Sequence, residues 1–538
     1  MGQTNIDAIV EVSPALLRAL RDPTFYPHPA DRVEVIETHI SWIFLAGEYA
    51  YKLKKPVKFG FLDFSTPELR RHFCAQELRL NQRYAAQIYL DLVGFGPSPQ
   101  EPVWGGSPPI ETAVRMRRFP ESGRLDHLQS AGLLGPREID AFASRIAQFH
   151  QHAARADQNS PFGSVQVLRE TLDVNFRTLR EATGPSQAGR IDALEHWSDN
   201  ACARLAPLID ARRQAGAVRE CHGDLHLANM VWFNDDALLF DCIEFNEGLR
   251  WIDTLNDIAF MLMDLEGRGE RALANRFLDR YLVATGDYEG TALLPLFKQY
   301  RALVRAAVTA LRLHQPALTI EERAIDHRLV HRYLELAESY MRAKPTRMIL
   351  MHGLPGSGKT TVAAQIAPEL DAVCLHSDVE RKRLAGIGAT ERSASPLDGG
   401  IYTASVSQAT YGRLLELTKA LLRAGQSVIV DAAFSDRSRR LEFVELAKQC
   451  GAQARIISMD IPPDALRARV ARREGLSGEY SEAGRAVLER ALVRHEPLDG
   501  KELDLTLRVG LAGRIEAIVE SILGAPTPHD TSPPRSSR

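Results

Sequence analysis

The run Gly353-Leu354-Pro355-Gly356-Ser357-Gly358-Lys359-Thr360 constrains this chain more than any other feature. It fits the pattern G-x-x-x-x-G-K-[ST] in full. An apolar stretch, Met348-Ile349-Leu350-Met351, precedes it, and Thr361-Val362-Ala363-Ala364-Gln365-Ile366 follows with helical character. Glycines in such a loop let successive backbone N–H groups wrap a polyphosphate. Lys359 reaches the β/γ end, and the Thr360 hydroxyl ligates Mg²⁺. The first turn of the following helix adds its positive dipole end. Gly353, Gly356, Ser357, Gly358, Lys359, Thr360 and Thr361 are therefore the expected binding residues for ATP with Mg²⁺.

Strand and helix signals alternate from there on, which predicts an α/β P-loop NTPase domain with a parallel sheet over 346–524. Ala372-Val373-Cys374-Leu375 is a short strand ending at Ser377-Asp378. Ser427-Val428-Ile429-Val430 is another, ending at Asp431, and Ala454 to Met459 is a further one. Carboxylates at the C-terminal ends of parallel strands border the ligand crevice. Asp431 is placed to hold Mg²⁺, directly or through water. Asp378 reads either as the group that takes the proton of an acceptor hydroxyl or as the cap of the next helix. Arg467, Arg469, Arg472 and Arg473 read either as a lid over a transferring phosphate or as a solvated basic face, and Arg437, Arg439 and Arg440 share that ambiguity.

These residues resemble the small P-loop kinases of the gluconate kinase, zeta-toxin and AAA_33-type group. The resemblance implies that Asp378 and Arg381 meet the acceptor. It also implies that Arg472 or Arg473 is the lid arginine and that Gly475 to Glu482 belongs to the lid.

A second constellation lies upstream: Cys221-His222-Gly223-Asp224-Leu225-His226-Leu227-Ala228-Asn229. The spacing from Asp224 to Asn229 equals that of the kinase catalytic loop, in which the aspartate positions the acceptor hydroxyl and the asparagine holds a metal ion. Met230-Val231-Trp232-Phe233, a turn at Asn234-Asp235-Asp236 and Ala237-Leu238-Leu239-Phe240 read as a β-hairpin. Such a hairpin returns Asp241 towards Asn229, so one metal can meet both. His222 reads as a scaffold residue bracing the loop. Further upstream, Trp42-Ile43-Phe44-Leu45, a turn at Ala46-Gly47-Glu48 and Tyr49-Ala50-Tyr51-Lys52-Leu53 form another hairpin pattern. One lysine here is expected to contact the α/β-phosphates. Lys52 is preferred and Lys54 second, both on one face at period two. Glu77, on the helical stretch Pro67 to Ala85, is the expected pairing glutamate.

Together these residues resemble the aminoglycoside phosphotransferase family, including its choline-kinase-like and fructosamine-kinase-like members. This implies an α+β protein-kinase-like N-terminal domain over 1–342. In that resemblance Asp257, within Asn256-Asp257-Ile258-Ala259, is structural. The whole chain resembles bacterial bifunctional aminoglycoside phosphotransferase/ATP-binding proteins. It departs from the kinase pattern in having Thr38-His39-Ile40-Ser41 where a G-x-G-x-x-G phosphate loop stands. It also reads Asp-Cys-Ile-Glu from Asp241, with Glu244 as an expected second metal contact.

At 538 residues two or three domains are expected. A formal charge of −3 does not point to nucleic acid or a membrane surface. Six scattered cysteines without a CxxC pair imply a reducing compartment, here the cytoplasm. No apolar run approaches a membrane span, and Met1 to Val10 lacks a signal-peptide pattern. The tail 525–538, rich in Pro, Ser and Thr, is expected to be disordered. The acids Glu244, Glu247, Asp253, Asp257, Asp264 and Glu266 read either as an attractor for a polycation or as helix-surface charge. The resulting expectation is an ATP-dependent phosphotransferase with two transfer sites for small hydroxylated acceptors. The alternatives are a nucleotide-sensing regulator, which would not need the Asp224 base, and a toxin-like or nucleic-acid-end kinase in the P-loop half.

Overall fold

The computed structural model describes residues 9–59, 62–98, 100–313, 318–393, 395, 399–473, 484–510 and 514–524, without the side chains of 97 and 473. The expected lid, Gly475 to Glu482, and the tail 525–538 lie outside this set. The chain forms two compact units that interleave in sequence. One comprises Met1–Asp264 with Leu296–Leu334, the other Leu265–Pro295 with Glu335–Arg538.

The first unit is built on a six-stranded antiparallel sheet. Its strands are β1 (Val33–Glu37), β2 (Ser41–Ala46), β3 (Tyr49–Lys54), β4 (Tyr89–Pro97), β5 (Pro102–Trp104) and β6 (Glu111–Arg117), in spatial order β1-β2-β3-β6-β4-β5. The β2–β3 hairpin pairs Phe44 with Tyr51 and Ile43 with Lys52. Alternation then sends Tyr51 and Leu53 into an apolar cluster with Phe44 and Phe95, and sends Lys52 and Lys54 to the opposite face. Helix α1 (Pro67–Ala85) packs on β6 and β4. Thr66 Oγ1 accepts the Leu69 N–H, and Pro67 occupies the first turn, so the predicted start and end both hold.

Helices dominate after the sheet, as the sequence pattern predicts, among them α2 (Pro136–His152). The second hairpin, β7 (Met230–Phe233) and β8 (Asp236–Leu239), turns at Asn234 and Asp235 with φ of 51° and 58°. Asn and Asp tolerate this left-handed turn, whose twist suits a hairpin. Helix α3 (Thr254–Gly267) follows; α4 (Arg271–Thr285) lies in the second unit, and most of α5 (Leu294–Arg312) and α6 (Ile320–Ser339) in the first.

The second unit holds a five-stranded parallel sheet of β9 (Arg347–His352), β10 (Ala372–His376), β11 (Ser427–Asp431), β12 (Gln453–Met459) and β13 (Thr506–Val509), in order β10-β11-β9-β12-β13. Every residue of central β9 is buried, as a parallel strand covered on both faces requires. One core cluster joins Ile349, Met351, Ile429 and Ile457 to Ile366 and Leu370 of α7 (Lys359–Leu370). Strand β13 has no counterpart in the sequence expectation. Helices α8 (Ser377–Leu384), α9 (Arg437–Gln449) and α10 (Pro463–Arg473) complete the part that borders the site. No helix among the described residues is long and apolar enough to cross a membrane.

Candidate active sites

In the first unit, β3, α1 and the end of β8 meet around two lysines. Lys52 Nζ lies 2.8 Å from Glu77 Oε1 and 2.5 Å from Asp241 Oδ1. Lys54 Nζ lies 2.8 Å from Glu77 Oε2 and also pairs with Glu244. Lys52 keeps a little exposed surface, whereas Lys54 has none. Burial opposes a charge on Glu77, but the two ammonium groups outweigh it and hold the carboxyl low. At Glu244 burial, joined by the negative charge of Glu77, prevails over Lys54 and Lys52, and the carboxyl sits above its ordinary value. Glu244, the expected second metal contact, sits in a buried ion pair with Lys54.

The loop from His222 to Asn229 is braced from several sides. Asp257 on α3 accepts the backbone N–H groups of His222 and Gly223 at 3.0 and 2.8 Å and pairs with His150 of α2 at 3.1 Å. His222 Nε2 donates to the Phe240 carbonyl at 3.0 Å, and its Nδ1 accepts the Asp224 N–H at 3.3 Å. Those two bonds assign the neutral tautomer, in keeping with burial that pushes His222 below its usual value. His222 is a scaffold residue here, as its sequence context implies. Gly223 adopts φ +87°, and a Cβ there would sit 2.7 Å from the Leu249 carbonyl oxygen. Arg301 of α5 donates to the Gly223 carbonyl at 2.9 Å.

Asn229 Nδ2 donates to Asp224 Oδ2 at 2.8 Å and to the Asp224 carbonyl at 3.0 Å. Its Oδ1 has no hydrogen bond among the described residues, so it is available to a cation. Asp224 is one-third exposed at its side chain. Burial acts to raise its pKa, yet His226, Arg305 and His222 hold it well below the usual carboxylate range. Asp241 has φ +63°, with its N–H donating to the Tyr89 hydroxyl at 3.1 Å. A side-chain-bearing residue in the left-handed region carries strain that the surrounding contacts must hold.

In the second unit the loop glycines Gly353, Gly356 and Gly358 adopt φ of +146°, +80° and +94°, conformations that bring backbone amides round a concavity. Lys359 opens α7, and its Nζ donates to the Leu354 carbonyl at 3.1 Å. Thr360 Oγ1 donates to Asp431 Oδ2 at 2.7 Å. His376, at the end of β10, bonds Asp431 Oδ2 through Nδ1 at 3.1 Å and Asp279 Oδ1 through Nε2 at 3.0 Å. Burial opposes a charge on this ring, but the two carboxylates, Asp279 foremost, push it up to about 10. Asp431 is itself lowered against burial by His376, Lys359 and Thr360. Ser357 Oγ is buried, with no hydrogen bond among the described residues.

Asp378 sits in the first turn of α8, half-buried, with no hydrogen bond or ion pair among the described residues. It does not cap that helix; His376 occupies the cap position. Arg381 is buried against Tyr402 and the Ile401 carbonyl. Of the α10 arginines, Arg469 reaches the P-loop, donating to the Ser357 carbonyl at 3.3 Å, whereas Arg472 is exposed. The Arg473 side chain lies outside the described residues. Arg467 pairs with Glu489 and Asp464, and Arg440 is wholly buried on Glu502 and four backbone carbonyls. Arg440 is therefore no part of a solvated basic face.

The sequence reading missed His376, Asp279 and Arg305, and it preferred Arg472 or Arg473 to Arg469 within the arginine run. A polar residue closing the apolar strand Ala372–His376 was a visible signal for His376. Asp279 carried none, since its partner lies 97 residues away.

A family model described as a phosphotransferase enzyme family matches residues 125–294, and one described as an AAA domain matches 348–498. The uncharacterized protein Rv2004c of Mycobacterium tuberculosis is 33% identical over 423 residues, covering 78% of this chain and 82% of its own length. The uncharacterized protein Mb2027c of Mycobacterium bovis matches to the same extent. The chain belongs to this family of fused phosphotransferase and AAA-type P-loop kinase domains. It is a kinase. Among solved structures, a sugar kinase of Janibacter sp. is 23% identical, covering 34% of this chain and 94% of that one at a TM-score of 0.26. A choline/ethanolamine kinase family protein of Mesorhizobium loti is 12% identical, covering 58% and 94% at a TM-score of 0.35.

Proposed function

We propose that this kinase has two phosphoryl-transfer sites, each moving the γ-phosphoryl of Mg²⁺-bound ATP to a hydroxyl group of a small molecule. The observation that carries the reading is the position of Lys52, whose single ammonium group bridges Glu77 and Asp241. An assembled lysine–glutamate pair beside the metal-holding aspartate is what an active kinase site requires. In the first site Lys52 contacts the α/β-phosphates. Asn229 Oδ1 and Asp241 hold the metal, and ionised Asp224 positions the acceptor hydroxyl and takes its proton. In the second, the amides of Gly353 to Thr361 and Lys359 hold the phosphates, Thr360 and Asp431 hold the metal, and Asp378 faces the acceptor. The metal supplies charge neutralisation of the transferring group at both. Arg469 is better placed than Arg472 to approach the phosphates.

The acids that a polycationic acceptor would need are already engaged. Glu244 pairs with Lys54, Glu247 with Arg250, Asp253 with Arg212, and Asp257 with His150. Asp264 accepts the Leu227 N–H, and Glu266 accepts the Tyr340 hydroxyl. Arg305 has no ion pair among the described residues and acts on Asp224 electrostatically. A neutral or anionic hydroxylated acceptor suits this site better than an aminoglycoside.

The test is phosphorylation of a metabolite pool by wild type, Asp224→Ala and Lys359→Ala. Each substitution is expected to remove a different product. If both remove the same products, or if one removes none, two independent sites do not exist.

A further inference from the structure

Helix α4 lies inside the stretch matched by the phosphotransferase family model, yet it belongs to the P-loop unit and packs against α7. Five of its residues tie it there by hydrogen bonds, Arg271 and Leu282 among them, and three more as follows. Asn275 Nδ2 donates to the Ala372 carbonyl at 3.2 Å, and the Val283 carbonyl accepts from Arg383 at 2.8 Å. The third, Asp279, meets His376 Nε2 at 3.0 Å. Carboxylate oxygens only accept in these bonds, so both nitrogens of His376 donate, one to Asp279 and one to Asp431. The ring is thereby fixed in plane and in rotation.

Both bonds to Asp431, from Thr360 and from His376, fall on Oδ2. Oδ1 has none among the described residues. The carboxylate is thus held by one oxygen with the other free, the arrangement by which outer partners orient a metal-holding group.

We propose that Asp279 is a positioning residue of the P-loop site, acting through His376 to hold Asp431 by Oδ2 and leave Oδ1 to the metal of the bound nucleotide. This rests on the reading of Asp431 as a metal-holding acid. It makes a helix from the phosphotransferase stretch part of the second site's architecture. The P-loop residues 346–524 do not by themselves contain the complete relay.

The experiment uses the full chain and a non-hydrolysable ATP analogue, measured by calorimetry without divalent metal and across a series of Mg²⁺ concentrations. Lys359→Ala identifies the share of binding that belongs to the P-loop. Asp279→Asn and His376→Gln are each expected to leave metal-free binding within about twofold, since backbone amides and Lys359 carry it. Each is expected to raise the Mg²⁺ concentration for half-maximal binding about tenfold, the usual effect of losing an outer partner. Combined, they are expected to add nothing further, because they break one relay. A Mg²⁺ midpoint within twofold of wild type overturns the proposal, as do effects that multiply in the double variant. Metal-free and metal-supported binding falling together would make α4 a mere packing element, also against it. Wild type without any Lys359-dependent binding would instead sink the P-loop reading itself.

Discussion

Replacing Lys54 by methionine is expected to cost the first unit about 3–5 kcal/mol at pH 7, the usual result of removing one partner from a buried ion pair. Lys54 has no exposed surface, and its Nζ lies 2.8 Å from Glu77 while also meeting Glu244. At an effective dielectric of about 20, a charge pair at that distance is worth about 6 kcal/mol of attraction. Desolvation of the groups offsets most of it in the wild type. Once Lys54 is gone the two acids fare differently. Glu77 keeps Lys52. Glu244 is left buried without a cation, and burial already holds its pKa above the usual 4.5.

The sign follows. A carboxyl whose folded pKa lies above its unfolded one loses stability as the pH rises through the folded value. The deficit is therefore larger at pH 7 than in acid and fades as the pH is lowered towards the usual carboxylate range. Guanidinium unfolding of full-length Lys54→Met, followed by circular dichroism at pH 7 and pH 5, measures both. A melting temperature lower by on the order of 10 °C accompanies it. Adding Glu244→Gln to Lys54→Met removes the stranded charge and is expected to restore most of the loss. An unchanged unfolding midpoint in Lys54→Met, or no recovery in the double variant, would refute the reasoning.

His352, at the end of β9, is buried with Nδ1 on Ser458 Oγ at 2.9 Å, and burial, aided by His495, Arg440 and Lys359, pushes it down to about 3. The unfolded chain takes a proton near pH 6.5 that the native state refuses. Stability of the P-loop unit should thus be intact above pH 6.5 and lower by about 1.4 kcal/mol at pH 5.5, a loss that His352→Asn removes in urea midpoints measured across that range. Gly223→Ala forces a Cβ against the fixed Leu249 carbonyl at φ +87°. A cost of about 1–3 kcal/mol and a drop of at least about tenfold in the Asp224-dependent product are expected, with the Lys359-dependent product unchanged in the same assay.

The elements that the sequence made legible are those whose chemistry is local. The hairpin ending at Asp241 follows from two apolar runs and an Asn-Asp turn. Helix α1 follows from a Thr-Pro start. The P-loop follows from glycines at positions that need left-handed backbone. The spacing from Asp224 to Asn229 is likewise readable, because a short loop sets how the two side chains meet.

Lys52 and Lys54 show where that reading stops. Both point to one face of β3, and spacing treats them alike. Only the packing of α1 and of the segment after β8 separates them, enclosing Lys54 with Glu244 and leaving Lys52 beside Asp241. Sequence thus determined the two kinase-type folds, the loop from Asp224 to Asn229 and the glycine-rich loop before α7. Tertiary structure decided the partners of the buried charges, 189 residues apart for Lys52 and Asp241 and 97 for His376 and Asp279. A buried ion finds its counter-ion on whichever surface closes over it, and desolvation, not spacing along the chain, enforces that choice.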